Sequence, residues 1–323
     1  MDCDKCDREA VAHQAYAGAH LCEDHVLQSV ERRVRRRVRE DGLVPDDATP
    51  ESTVTWLLGL SGGKDSAVLA QVLAETFERD PRVELVALSI HEGIEGYRDE
   101  SLAAAEELAE DLAVRHEVVG YEEAFGVRMD DVAAEDPLDM APCAYCGVFR
   151  RDLLATYAER FDADLLLTGH NLDDEAETAL MNLLEGDVAQ VAKHFDASLG
   201  PLETRHETDT FVPRAKPLRE IPEKEVALYA HLRDLPVHFA ECPHAERSFR
   251  GTVQDLLLEL EEDHPGTRHS VMAGYEELAE LAADRHRGDD PDVGECERCG
   301  APTGRDLCRK CSLLDALDAS GPA

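Results

Sequence analysis

Basic charge is what this chain lacks most. Across 323 residues, Asp and Glu outnumber Lys and Arg by 70 to 33, a formal net charge of −37. Lysine is confined to Lys5, Lys64, Lys193, Lys216, Lys224 and Lys310. Such a deficit ordinarily argues against a nucleic-acid partner. Here, however, the acid is spread along the whole chain rather than gathered in a tail. That distribution points to a multi-molar-salt cytoplasm, where acidic, lysine-poor surfaces keep proteins hydrated. Charge therefore reports habitat more than partner. Apolar runs of membrane-spanning length are also absent, and Met1-Asp2-Cys3-Asp4-Lys5 is no signal peptide. A cytoplasmic protein with no membrane partner is expected. Its ten cysteines are then reduced thiols or metal ligands rather than disulfides.

The stretch that organises the chain is Leu60-Ser61-Gly62-Gly63-Lys64-Asp65-Ser66. Before it, Val54–Leu60 reads as a buried strand; after it, Ala67–Leu73 reads as a helix. Strand, glycine turn and helix together present free backbone N–H groups to a phosphate. Gly62 and Gly63 let the backbone approach the anion, Ser61 and Ser66 add hydroxyls, and Lys64 adds charge. The Walker spacing is missing. Ser-Gly-Gly-Lys-Asp-Ser instead resembles the PP-loop of the ATP pyrophosphatases, which split ATP between its α and β phosphates and adenylate a substrate. ATP is then expected at Ser61, Gly62, Gly63, Lys64, Asp65 and Ser66, with Mg²⁺ bridging its phosphates.

Further strands are expected at Val83–Ile90, Arg115–Val119 and Ala163–Thr168, and helices at Ser101–Leu112, Cys143–Phe161 and Glu175–Leu184. This alternation implies an α/β fold, a doubly wound parallel sheet. Ligands bind at the carboxyl ends of such strands, where Ser61, Ile90 and Gly169 lie. Ile90 and Gly169 therefore join the expected ATP site.

Both ends of the chain carry metal-ligand spacing. Cys3-x-x-Cys6 is followed by Cys22-x-x-His25, and Cys296-x-x-Cys299 by Cys308-x-x-Cys311. Each set supplies four ligands, enough to close a structural zinc site with no open position. Two zinc ions are expected. After the first set, Val26, Val30, Val34 and Val38 form a helical stripe, with six arginines packed into positions 32–39. Arg32, Arg33, Arg36 and Arg37 are the expected tRNA-binding residues; the competing reading pairs them with nearby acids. Residues 1–50 form the knuckle and basic helix, 51–287 a catalytic domain with a helical C-terminal part, and 288–323 a second ribbon.

Three cysteines remain: Cys143 and Cys146 at a helix start, and Cys242 before Pro243. Helix N-termini favour thiolates. Three thiolates suit a third zinc, a redox dithiol with a resolving partner, an iron–sulfur cluster with one iron free of protein, or a buried structural role.

The ordered set resembles the tRNA 2-thiouridine synthetases of the TtuA/NcsA type over nearly the whole chain. It comprises the N-terminal knuckle, Ser61–Ser66, Cys143-x-x-Cys146-Gly147, Thr168-Gly169-His170-Asn171-Leu172-Asp173-Asp174-Glu175, Lys216-Pro217-Leu218-Arg219, Cys242-Pro243 and the C-terminal ribbon. The resemblance implies a PP-loop adenine nucleotide α-hydrolase fold flanked by zinc ribbons. It assigns a 4Fe–4S cluster to Cys143, Cys146 and Cys242, and a catalytic role to Asp174 within the Asp173-Asp174 pair. The lysine usual after the Cys-x-x-Cys falls on Arg150, which keeps the charge but cannot deprotonate. Lys64, Asp65, Arg150 and Asp174 are then the catalytic set. The implied reaction is ATP-dependent: adenylation of a tRNA uridine at its C2 oxygen, favoured at the wobble base, then sulfur transfer. A ubiquitin-fold sulfur carrier is the implied donor, and a homodimer is implied as well. Its rivals are persulfide chemistry on the same cysteines without a cluster, amide synthesis, and a non-catalytic zinc-ribbon RNA scaffold. No glutaminase signature supports the second, and the intact Ser61–Ser66 loop opposes the third.

Overall fold

The computed structural model describes residues 1–135, 138–192, 212–244, 249–286 and 294–317. The chain enters through a small hairpin, β1 (Ala12–Gln14) and β2 (Ala19–Leu21), which opens onto helix α1 (Glu23–Glu40). α1 docks on the central domain through the valine stripe that the spacing predicts, with Val30, Val34 and Val38 buried in the main core. The linker after it therefore marks no break in packing.

The central sheet has five parallel strands: β3 (Val54–Gly59), β4 (Val83–His91), β5 (Arg115–Gly120), β6 (Leu165–Leu167) and β7 (Arg214–Ala215). Their order is β5-β4-β3-β6-β7. β3 is central because it is apolar on both faces. Trp56 and Leu58 join the core beneath α2 (Lys64–Phe77), while Leu57 joins the core beneath α6 (Pro142–Arg160). Between β3 and β6 the strand order reverses, which opens a crevice at their carboxyl ends.

Several elements differ from expectation. α3 (Tyr97–Asp111) begins four residues early, because Arg98 in its first turn is drawn into a buried ion pair with Glu92. β6 is shorter than the six residues expected. The short helices α4 (Tyr121–Phe125) and α5 (Met129–Glu135), strand β7 and helix α8 (Glu223–Leu232) had no sequence signature. The expected C-terminal helical part resolves into α9 (Phe249–Asp263) and α10 (Thr267–His286), which pack on α7 (Leu172–Glu185). The C-terminal ribbon forms a short ladder, β8 (Gly294–Glu295) with β9 (Pro302–Thr303), and ends in α11 (Arg309–Ala316). Leu313 and Leu314 of α11 are buried in the α6 core, and Lys310 Nζ lies 3.0 Å from Asp152. Among the described residues no helix is long and apolar enough to cross a membrane.

Candidate active site

The turn after β3 is held by its own side chains. Ser66 Oγ accepts the Ser61 N–H at 3.0 Å and donates to the Gly63 carbonyl at 3.0 Å. Gly62 sits at φ +79° with its α-carbon against α3; a Cβ there would lie 1.7 Å from the Ser101 carbonyl oxygen. Gly63 precedes α2 with no side-chain cap, so the first N–H groups of α2 are left for a ligand. Gly169, after β6, presses as closely: a Cβ there would lie 2.8 Å from the Asp65 backbone carbon and the Ser66 nitrogen. Gly62 thus lets the turn press against α3, and Gly169 lets the segment after β6 press against the turn.

A cavity of about 540 Å³ opens beside this junction. Of the expected residues, Ser61, Asp65, Ser66, Ile90, Arg150, Gly169 and Asp174 line it. Gly62, Gly63 and Lys64 do not. Lys64 Nζ is held 2.9 Å from Asp65 and 2.7 Å from Glu223, the first residue of α8. Burial pushes that ammonium's pKa down, but the Asp65 charge and the Glu223 hydrogen bond prevail and raise it.

Asn171 connects the two segments. Its amide donates to Asp65 at 2.9 Å, while its side-chain oxygen caps α7 by accepting the N–H groups of Asp173 and Asp174. Asp174 returns the bond by accepting the Asn171 N–H at 3.0 Å. Burial pushes the Asp174 carboxyl up to about 6, with the nearby Asp65 charge acting the same way. Asp173 is turned elsewhere, 2.8 Å from Arg268 and accepting the Glu223 N–H. Only Asp174 of the pair lines the cavity.

Sequence reasoning missed the polar floor. Glu92 is wholly buried, bonded to Arg98 and, at 2.8 Å, to Arg150. Burial pushes its carboxyl up, yet the Arg150 and Arg98 guanidinia outweigh it and hold Glu92 below the usual range. Arg98 also donates to the Ser61 carbonyl at 2.9 Å, so one buried pair supports both the phosphate turn and Arg150. Lys216, 2.6 Å from the buried Glu175, and His170 also line the cavity. The signal for Lys216 was present: it is one of six lysines in a lysine-poor chain. Burial and the Lys216 charge lower the His170 imidazole to about 4, so it is neutral.

Cys146 faces this floor, with its sulfur 3.4 Å from Arg150 and 3.6 Å from the Tyr121 hydroxyl. Burial raises the Cys146 thiol, against the lowering charge of Arg150. Cys242 is half-buried in the same apolar cluster, and Cys143 is exposed. Burial raises the Cys242 thiol, and the charges of Cys143 and Cys146 act the same way. The segment bearing Cys242 is tied to the phosphate turn, since the His238 N–H donates to the Gly62 carbonyl at 2.9 Å.

Both terminal sets close as expected. The ligand atoms of Cys3, Cys6, Cys22 and His25, and those of Cys296, Cys299, Cys308 and Cys311, each lie within 4.8 Å of one another. The arginine helix is a correction in part. Arg33 is nearly buried against Glu225 and bonds the Tyr16 hydroxyl. Arg36 and Arg37 share Glu220, and Arg37 also grips Asp41. Arg33 is thus spent inside the protein, because the valine stripe turns it toward α8. Among the described residues Arg32 is exposed with no acidic partner.

Comparison with known proteins gives a consistent result. The PP-loop domain family matches residues 28–241, and the N-terminal LIM domain of 2-thiouridine synthetase TtuA matches residues 2–25. The tRNA 2-thiolation protein NcsA of Haloferax volcanii is 65% identical over 99% of this chain and 100% of its own. A probable sulfurtransferase of Methanocaldococcus jannaschii is 32% identical over 97% of this chain and 87% of its own. The solved U34-tRNA thiolase NcsA of Methanococcus maripaludis, which carries a 4Fe–4S cluster, superposes with a TM-score of 0.80 at 35% identity. The match covers 98% of this chain and 96% of that one.

Proposed function

The chain belongs to the PP-loop tRNA 2-thiolation proteins, and from that membership together with the cavity we infer that it uses ATP to replace the C2 oxygen of a tRNA uridine with sulfur. The observation that carries this reading is convergence: the phosphate turn, the Asp174 helix and the cysteine helix all border one cavity. The solved relative acts on U34 by its description, which supports the wobble uridine as the target here.

The residues divide the work as follows. The free N–H groups at the start of α2, with Ser61 and Ser66, receive the nucleotide phosphates. Lys64 leaves Glu223 to join them. Asp65 and Asp174, both in the cavity wall, suit a Mg²⁺ on those phosphates. Attack by the uridine C2 oxygen on the α-phosphate expels pyrophosphate and leaves that oxygen adenylated, so that it departs as AMP when sulfide adds at C2, and Arg150 stabilises the charge that develops. Arg150 can do this at any working pH but cannot serve as a base.

Cys143, Cys146 and Cys242 fit a 4Fe–4S cluster better than a single ion. They fall outside the tight grouping of the two zinc sets, and a four-iron cube spaces its thiolates more widely than one metal does. When bound, the cluster supplies an iron free of protein sulfur at which inorganic sulfur is presented. The two four-ligand sets fit tetrahedral zinc, whose ~2.3 Å bonds to sulfur give edges of about 3.8 Å; the Cys6 and Cys22 sulfurs lie 3.6 Å apart. The family resemblance supports a ubiquitin-fold sulfur carrier, a homodimer and a cytoplasmic location. The acid-rich composition supports a saline one.

The test is mass spectrometry of tRNA incubated anaerobically with the protein, ATP and sulfide. The expected product is 2-thiouridine at the wobble position, formed with stoichiometric AMP. Lys64→Ala and Asp65→Ala should each lose about 100- to 1000-fold in rate. AMP formation without thiolated RNA would overturn the reading.

A further inference from the structure

Three of the five arginine and lysine side chains lining the cavity have a carboxylate partner. Arg98 and Arg150 share Glu92, and Lys216 holds Glu175. Two cations break the pattern. Arg151, on α6, and Arg214, which opens β7, both line the cavity, and among the described residues neither has an acidic partner. The two leave a pair of guanidinia in one cavity wall with no described carboxylate to meet them. The arrangement is also unfavourable as it stands. Arg214 is itself solvent-accessible, yet partial loss of water around its guanidinium, and then the charge of Arg151, push its pKa down. Arg151 is exposed on α6, and its Nη1 lies 3.3 Å from where a Cβ on Gly147 would sit, so the glycine after Cys146 makes room for the guanidinium. Like charges gathered without counter-ions in a concave wall favour an anion.

We propose that Arg151 and Arg214 form a phosphate clamp in the cavity wall, gripping a backbone phosphate of the RNA substrate beside the base presented for modification. The proposal rests on the tRNA reading above. Guanidinium suits the task because its planar fork binds phosphate oxygens bidentately and sheds water readily. A nucleotide polyphosphate offers the same oxygens, but the start of α2 already provides a cradle for it from a different element. The clamp instead borders the helix that carries Cys143 and Cys146. It thereby holds the modified nucleotide between the phosphate turn and the sulfur-bearing cysteines.

The experiment compares the full chain with its Arg151→Gln/Arg214→Gln variant in tRNA titrations across a salt series, Mg-ATP calorimetry and thermal unfolding. The expected result is tRNA affinity reduced about tenfold or more. The log–log salt slope becomes shallower by about 0.7 to 0.9 per lost contact. Mg-ATP affinity stays unchanged, and the unfolding midpoint is equal or higher because a repulsion has gone. Arg151→Lys/Arg214→Lys should recover the slope but not the full affinity, since a lysine cannot bind bidentately. Unchanged tRNA affinity and slope would overturn the clamp. So would a fall in ATP affinity alone, which moves the pair to the nucleotide, or a lowered midpoint, which makes it structural. Wild-type protein that binds no tRNA would overturn the thiolation reading itself, a result separable from a wild type that binds and a variant that binds equally.

Discussion

Asp174 is held in a place that disfavours its charge, and the penalty can be measured. Its carboxyl lies at about 6 in the fold against 3.8 unfolded, chiefly because it is buried. Between these values the folded protein keeps a proton that the unfolded chain has lost. That stabilising difference is full below pH 4 and disappears as pH rises through 6. Above pH 6 the ionised group therefore costs about 2 to 3 kcal/mol. Asp174→Asn should raise stability by that order at pH 8, with the gain shrinking through pH 6 and absent below pH 4, as read by denaturant titration. The same variant should lose AMP formation, because an amide cannot hold Mg²⁺ as a carboxylate does. Wild-type rates should fall on the acid side with a midpoint near 6. Glu223 poses the complementary case. It holds Lys64 away from the cavity lining in a partly exposed pair, worth about 1 kcal/mol. Glu223→Gln should therefore lower KM for ATP about fivefold with little change in kcat, measured as AMP release against ATP concentration.

At the scale of elements, the arginines of α1 divide between the docked face and solvent in a way that the sequence blurs. Arg33 and Glu225 form a nearly buried pair. Breaking it leaves Glu225 with hydrogen bonds from Gln14 and Tyr16 but no cation, at a cost of about 3 kcal/mol. Arg33→Gln should sharply lower the unfolding midpoint. Arg32→Gln should leave the midpoint alone and weaken tRNA binding with a shallower salt slope; equal binding by that variant would make α1 a purely structural helix. Much of this architecture was legible. The valine stripe, the strand–glycine–helix of the phosphate turn and the paired Cys spacings are local patterns, each written within a few turns of chain. What stayed hidden is what depends on distant residues. Lys64 meets Glu223 across 159 positions, and Arg33 meets Glu225 across 192. β7 has only two residues, too few for any alternation, and exists because β6 offers it an edge. Glu92 carries no local signal of its own, and only its burial against Arg98 and Arg150 shows it to be the floor of the site.

For the molecule as a whole, the net charge of −37 makes the fold a function of its solvent. At about 1 M salt the screening length is about 3 Å, and at 0.01 M about 30 Å, so acidic surfaces that ignore one another in brine repel in dilute buffer. The unfolding midpoint should fall steadily as salt is withdrawn. The single tryptophan reports it: Trp56 is fully buried, edge-on to Phe77 with ring centroids 4.9 Å apart. A midpoint flat across that range would show that the acids are balanced locally by the ion pairs of the surface. The same shortage of lysine has a practical side. Primary amines are so few that a reagent that acylates them meets only a handful of targets. Lys5 and Lys224 are exposed, whereas Lys64, Lys216 and Lys310 are held in ion pairs. The exposed pair should label at once and the others slowly. If nucleotide draws Lys64 from Glu223 as proposed, its labelling rate should change when Mg-ATP is added. In most enzymes such a footprint is lost among dozens of surface amines; here a single peptide map would track the catalytic crevice one side chain at a time.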